Sequence, residues 1–157
     1  MNSGLLLVAV RLRGPSENSR ETEHTLRLLN LTRANWATLL PNTPSVVGML
    51  RKVSMYVCWG EADAGILVRL LERAQAWGGA EREEALKALG VENVSTLADK
   101  LLRGEVSLKD LKSVFKPRFR LHPPKGDLRR SIKRQYKQRG ETGYVGREIE
   151  QLVSLMC

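Results

Sequence analysis

Side chains that commonly carry enzyme chemistry are few in this sequence and do not form a recognisable constellation. The two histidines, His24 and His122, are far apart, and neither has a cysteine or a carboxylate at metal-ligand spacing. Glu61 and Asp63 form a close carboxylate pair, but acids also suit the start of a following helix, whose dipole is positive there. The sequence has no glycine-rich phosphate loop. We therefore predict no catalytic residues, no metal site, no cofactor and no small-molecule substrate.

The charged side chains point instead to a polyanionic partner. The chain has 26 Lys and Arg against 17 Asp and Glu, a net charge of +9. Ten of the basic residues and one acid lie within residues 116–139, and the remaining residues carry equal numbers of both signs. One segment therefore carries the whole net charge, which is typical of segments that neutralise nucleic-acid phosphates. Because only 5% of the residues are aromatic, the composition favours recognition of folded RNA by shape and backbone over base stacking.

The predicted RNA-binding residues lie in three parts of the sequence. The first is the end of the predicted first strand with the loop after it, the second is a helix near residue 50, and the third is the basic segment. In that order they are Arg11, Arg13 and Arg20; Arg51 and Lys52; and Arg118, Arg120, His122, Lys125, Arg129, Arg130, Lys133, Arg134, Lys137 and Arg139.

Length and hydrophobic content predict a folded protein without a membrane segment. The chain has 157 residues, of which 42% are hydrophobic, and this is enough for one sizeable core. The apolar run at residues 5–10 is far shorter than the roughly 20 residues of a membrane span. Two cysteines do not make a disulfide framework, so we expect a cytoplasmic protein with reduced thiols.

Strand and helix patterns alternate over the first third of the chain. Residues 5–12, 36–40 and 56–59 read as strands, and residues 20–31 and 44–55 read as helices. The second helix has a clear start, because Thr43 is a good N-cap and Pro44 suits the first helical position. This pattern predicts an α/β sandwich with both helices on one face of a three-stranded sheet. On handedness rules alone, such units would be parallel.

The rest of the chain divides at two changes of composition. Residues 62–115 are rich in helix formers and predict a helical insertion after a core of residues 1–61. Residues 116–157 predict a basic extended tail and a terminal helix at 147–156. Prolines favour an extended chain at 119–126, with Phe119 and Leu121 facing one way and Arg118, Arg120 and His122 the other. We expect residues 127–139 to be poorly ordered until bound.

Several of these motifs together resemble the ribosomal large-subunit protein family known as L-thirty in bacteria and archaea and L-seven in eukaryotes. The shared motifs are Thr43-Pro44, Gly48-Met49, Trp59-Gly60-Glu61, Arg120-Leu121-His122-Pro123-Pro124 and Gly143-Tyr144-Val145-Gly146. The resemblance implies a ferredoxin-like βαβαβ core, whose antiparallel sheet has the first strand between the other two. The C-terminal motifs are those of archaeal and eukaryotic members, and a long basic N-terminal extension is missing, so the archaeal form fits best.

The resemblance and the charge distribution lead to one functional prediction and two alternatives. The prediction is a structural constituent of the large ribosomal subunit, not an enzyme, that binds large-subunit rRNA beside neighbouring ribosomal proteins and so supports translation. The alternatives are a free-standing RNA-binding regulator or chaperone, and an RNA-processing enzyme.

Overall fold

The elements are given by a computed structural model, which describes residues 6–12, 20–79, 81–116, 118–121, 131–135, 140–146 and 149–156. The strands are β1 (Leu6–Arg11), β2 (Trp36–Pro41), β3 (Val57–Glu61), β4 (Phe119–Arg120), β5 (Ser131–Gln135) and β6 (Gly140–Tyr144). The α-helices are α1 (Arg20–Leu28), α2 (Pro44–Lys52), α3 (Ala64–Leu71), α4 (Arg82–Ala88), α5 (Val94–Arg103), α6 (Leu108–Val114) and α7 (Ile149–Met156), and Trp77–Gly79 forms a short 3-10 turn.

The sheet is built around β1. Strand β1 pairs with β2 on one side and with β3 on the other, and both pairings are antiparallel. This confirms the ferredoxin-like arrangement with the first strand in the centre. The sheet has six strands, in the order β4-β2-β1-β3-β6-β5, whereas the sequence predicted three. The extra strands come from the C-terminal third: β4 lies in the segment predicted to be extended, whereas β5 and β6 are short polar segments with no alternating hydrophobic pattern.

Both faces of β1 are buried, and this explains its nearly continuous apolar sequence. Leu7 and Ala9 point into a core shared with α1 and α2. Leu6, Val8 and Val10 point into a second core, which is shared with the helices of residues 64–114 and with α7. The sheet therefore lies between two helical layers.

Helices α1 and α2 pack on one face of the sheet, as predicted. Leu26 of α1 and Leu50 of α2 are fully buried in the same core as Trp59 of β3. Thr43 caps α2, since its side-chain oxygen accepts a hydrogen bond from the amide of Val46 at 3.3 Å, and Pro44 occupies the first turn. The predicted start of this helix is confirmed.

In the other helical layer, α3 ends at Leu71, because Ala76 pairs as extended chain with Phe115 and the Lys116 N–H donates to the carbonyl of Gln75. Ser131–Gln135 forms β5, and the expectation that residues 127–139 are poorly ordered until bound stays a prediction. The division at residues 61 and 115 stays a prediction.

One glycine fixes how α7 approaches the sheet. A Cβ at Gly60 of β3 would lie 2.0 Å from the carbonyl oxygen of Gly146, which no side chain could tolerate. The chain before α7 therefore packs directly on the backbone of β3. The amide of Val145 donates to the carbonyl of Trp59 at 2.9 Å in the same region.

Candidate nucleic-acid interface

Strand β4 brings the start of the basic tail onto the edge of the sheet. Arg120 lies opposite Trp36 of β2, and Phe119 lies opposite Ala37. Phe119 and Leu121 are buried in the core. Because side chains alternate along a strand, Arg118 and Arg120 face away from that core, as the sequence predicted.

Three guanidinium groups gather around the half-buried indole of Trp36. The Cζ atom of Arg118 lies 4.7 Å from the ring centroid, and the Cζ atoms of Arg33 and Arg120 each lie 5.9 Å from it. These distances are typical of cation–π contacts, which hold the planar groups in place. We call Arg33, Trp36, Arg118 and Arg120 the Trp36 cluster.

The Trp36 cluster carries positive charge that the described residues do not neutralise. No carboxylate of the described residues lies within 4.0 Å of its three arginines. Arg73 adds a fourth guanidinium, whose Nε donates to the carbonyl oxygen of Arg120 at 2.9 Å. The Nε of Arg118 is buried and has no hydrogen-bond partner among the described residues. An anion with several acceptor oxygens would relieve both the repulsion and the missing hydrogen bond.

Arg11 has a different role from the one predicted. Its side chain is 0% exposed, and its guanidinium pairs with Glu23 of α1 at 2.7 Å and donates to the carbonyl of Leu31 at 2.8 Å. Arg11 continues the β1 series of Leu7 and Ala9, which points towards α1 and α2. We therefore correct its assignment as an RNA contact: Arg11 fastens α1 to the sheet from inside the fold.

The predicted basic residues of α1 and α2 lie at the surface. Arg20 and Arg51 are exposed and form no ion pair with the described residues. Lys52 pairs with Glu21 of α1, and the hydrogen bond and charge of Lys52 lower the pKa of the Glu21 carboxyl. Arg51 is therefore more available to a partner than Lys52.

Two of the predicted tail contacts, Lys133 and Arg134, belong to β5. Arg13 of the first loop and six tail residues lie outside the described residues. These six are His122, Lys125, Arg129, Arg130, Lys137 and Arg139.

Sequence reasoning missed three residues of the basic edge: Arg33, Trp36 and Arg73. Arg33 and Trp36 are close in sequence, which was a usable signal. Their meeting with the tail depends on the pairing of β2 with β4, residues more than 80 positions apart, and no local pattern indicates it.

On the other side of β1 in the sheet, a polar pair joins β3 to β6. The Tyr144 hydroxyl donates to Oε1 of Glu61, and this hydrogen bond raises the tyrosine pKa to about 12. The Trp59 and Tyr144 rings lie beside each other with centroids 6.2 Å apart. The surface at β3 and β6 carries a carboxylate and is therefore a poorer place for a phosphate than the Trp36 cluster.

The described part of the chain contains no group of three or more His, Cys, Asp and Glu side chains arranged to hold a metal ion. None of its helices is long and apolar enough to cross a membrane.

Comparison with known proteins places the sequence among ribosomal proteins. Residues 7–57 match the family model described as ribosomal protein L30p/L7e. A protein of Thermofilum pendens named large ribosomal subunit protein uL30 is 44% identical over 154 residues, covering 96% of this chain and 98% of the relative. Proteins of the same name are 41% identical in Korarchaeum cryptofilum, covering 96% and 94%, and 38% identical in Saccharolobus islandicus, covering 96% and 98%.

These alignments extend well beyond the region that the family model matches. They run through the helices of residues 64–114 and into the C-terminal third, where the basic segment and α7 lie. The resemblance to the archaeal form, inferred from motifs at both ends of the sequence, is confirmed by these archaeal relatives. The chain belongs to the ribosomal protein L30p/L7e family, in the form that archaea carry as uL30.

Proposed function

We propose that this protein is a structural constituent of the large ribosomal subunit, where it binds and stabilises large-subunit rRNA and contacts neighbouring ribosomal proteins. The name of the relatives, large ribosomal subunit protein uL30, supports this role, and we assign the chain no catalytic activity. Its place of action is the cytoplasmic ribosome. The observation that carries the RNA-binding part is the Trp36 cluster, whose arginines have no carboxylate partner among the described residues.

The arrangement suits a protein that must both fix its position and follow an irregular RNA surface. The sheet packs through two buried cores against its two helical layers, and β4 attaches the chain to the edge of this sheet at Phe119 and Arg120. The basic tail therefore starts from a defined point, beside a cluster already shaped for phosphates. Planar arginine side chains bind phosphate oxygens in pairs, which adds orientation to charge.

We assign the main phosphate contacts to the Trp36 cluster and to the tail. Within the tail these residues are His122, Lys125, Arg129, Arg130, Lys133, Arg134, Lys137 and Arg139, and outside the tail they are Arg13, Arg20, Arg51 and Lys52. Each neutralised phosphate releases condensed counterions, so binding by this set weakens steeply as salt rises.

Sedimentation tests the assignment to the ribosome. The chain is expressed with a small tag in an archaeal host, and lysates are separated on sucrose gradients after a high-salt wash. We expect the chain in the large-subunit fractions, because contacts spread over a folded core and a tail survive salt that removes loosely bound factors. Recovery at the top of the gradient would favour a free-standing RNA-binding regulator or chaperone.

A further inference from the structure

One glycine has no explanation inside the fold. Gly48 lies in the middle of α2, where glycine is less favourable for the helix than alanine. No described atom lies within 4 Å of where its Cβ would be, and its φ is not positive. Gly65, within α3, would by contrast place a Cβ 3.4 Å from Asp63 Oδ1. Neither packing nor backbone conformation therefore calls for a glycine at position 48.

The surroundings of Gly48 form an exposed strip with positive charge at one end. Gly48 lies one turn after Pro44 and Ser45 and one turn before Arg51 and Lys52, and all five residues are exposed. Helix α2 contains no acidic residue. The strip is smooth at its centre because Gly48 has no side chain.

The charge on this side of the sheet favours a polyanion. The two acids of α1 are already engaged, Glu21 with Lys52 and Glu23 with the buried Arg11. Arg20, Arg27 and Arg51 are exposed and have no ion pair among the described residues.

The Trp36 cluster lies on the same side, since Trp36 packs against the core that α1 and α2 share. The exposed face of α2 and the Trp36 cluster therefore lie on the same side of the sheet. The insertion on the other side, residues 62–115, carries 8 basic and 9 acidic side chains and offers no comparable field.

We propose that the exposed face of α2 is a second RNA contact, at which the sugar–phosphate backbone of large-subunit rRNA lies directly against Gly48 and Arg51 neutralises a phosphate. This inference rests on the proposed function and adds to it a contact surface separate from the tail. Gly48 is present because a side chain there would hold the RNA backbone away from Arg51. Glycine makes the helix less stable, and it allows the RNA backbone to approach α2 closely.

Substitutions at Gly48 test the inference, because they act in opposite directions on stability and affinity. We expect Gly48→Ala to raise the melting temperature of the free protein by about 1–4 °C, as better helix formers do. Gly48→Ala weakens binding to a transcript of the large-subunit rRNA, and Gly48→Gln weakens it by at least about ten-fold, through the clash. Because the clash also moves the phosphate away from Arg51, Gly48→Gln should reduce the salt slope by up to about one, as the loss of one phosphate contact does.

Two further variants provide the controls. Ser95→Gln places the same side chain on an exposed position of α5, in the charge-balanced insertion, and leaves affinity unchanged. Arg51→Gln lowers affinity and reduces the salt slope by about one, as the loss of one phosphate contact should.

The outcomes separate the inference from the proposed function. Tight binding of wild type together with equal binding of Gly48→Gln would overturn the α2 contact and leave the proposed function standing. No binding by the wild-type chain would overturn both. If Gly48→Gln bound RNA normally but failed to enter reconstituted large subunits, the partner of α2 would be a ribosomal protein, and the RNA contact would be wrong.

Discussion

Arg11 and the arginines of the Trp36 cluster lie on the same side of the sheet but in opposite environments. The Arg11 side chain is 0% exposed, with a carboxylate at 2.7 Å and a carbonyl at 2.8 Å. Arg118 and Arg120 cover an indole at 4.7 and 5.9 Å, and no described carboxylate lies within ion-pair distance of them. Both kinds of arginine look the same in a list of basic residues.

The difference shows that pairing, more than charge, decides what an arginine does. A buried cation that is fully bonded cannot leave its partners without leaving a buried charge uncompensated, so Arg11 belongs to the architecture. A cation held by an aromatic ring keeps its N–H groups free for a ligand. The predictions below test this contrast, from the largest expected change in stability to the smallest.

Removing the buried arginine should cost the most. Arg11→Met leaves Glu23 and the Leu31 carbonyl without their donor, and we expect a loss of about 3 kcal/mol in the free energy of unfolding. This value is at the low end of the range for a broken buried ion pair, because the Glu23 side chain is 25% exposed. Urea unfolding measures the change.

The matched double variant Arg11→Met/Glu23→Gln should recover part of that loss, because it removes the stranded charge. Under conditions where Arg11→Met remains folded, its affinity for rRNA should equal that of wild type. A variant with unchanged stability and reduced affinity would return Arg11 to the RNA-binding surface.

The cap of α2 should matter to stability but not to binding. Thr43→Ala removes the acceptor for the amide of Val46, and the expected loss is about 0.5–2 kcal/mol. Thermal melts and rRNA binding are measured on the same preparation, with Thr43→Ser as the control that keeps the cap. Reduced affinity without reduced stability would make Thr43 a direct RNA ligand.

The Trp36 cluster should contribute little to stability. In Arg118→Gln/Arg120→Gln we expect a change within about 1 kcal/mol, because lost cation–π contacts are offset by relief of repulsion. Added salt should raise the melting temperature of wild type more than that of the variant, since salt screens the repulsion that the variant lacks. Equal responses to salt would indicate that the cluster is already neutralised within the protein.

The Glu61–Tyr144 pair provides a titration that involves no arginine. Hydrogen bonding to Glu61 raises the Tyr144 pKa from 10.0 to about 12. The stabilisation from this pair is complete below the unfolded pKa of 10.0 and is lost as pH rises through about 12. The tyrosinate absorbance of wild type minus that of Tyr144→Phe isolates this group. In Glu61→Gln the midpoint should move down towards 10.0, because the acceptor is no longer charged; an unmoved midpoint would rule out the Glu61 carboxylate as the cause.

Local patterns were enough to predict the core of the fold. The apolar run of β1, the Thr43-Pro44 start of α2 and the alternation of Phe119 with Arg120 each follow from neighbours in sequence, and the structure has all three. The antiparallel order of the strands came from family resemblance, because spacing alone also permits parallel units.

The remaining features depend on contacts between distant segments. Burial of Arg11 requires α1 to dock with Glu23 facing the sheet, and the Trp36 cluster requires β4 to pair with β2. Strands β5 and β6 have no apolar alternation to indicate them. A charge count located the basic tail but could not distinguish an arginine that holds the fold together from one that remains free to bind.

The salt dependence of rRNA binding tests this distinction most directly. Affinity for a large-subunit rRNA fragment is measured across a salt series for wild type, Arg11→Met, the cluster variant Arg33→Gln/Arg118→Gln/Arg120→Gln, and the tail variant in which Arg129, Arg130, Lys133 and Arg134 become Ala. Circular dichroism confirms folding of each. Each lost phosphate contact should reduce the slope of log affinity against log salt by about 0.7–0.9.

We predict a slope reduced by about 2–3 for the cluster variant and by about 3–4 for the tail variant, and a wild-type slope for Arg11→Met. Equal slopes for wild type and the cluster variant would contradict the claim that the unpaired arginines around Trp36 bind phosphates.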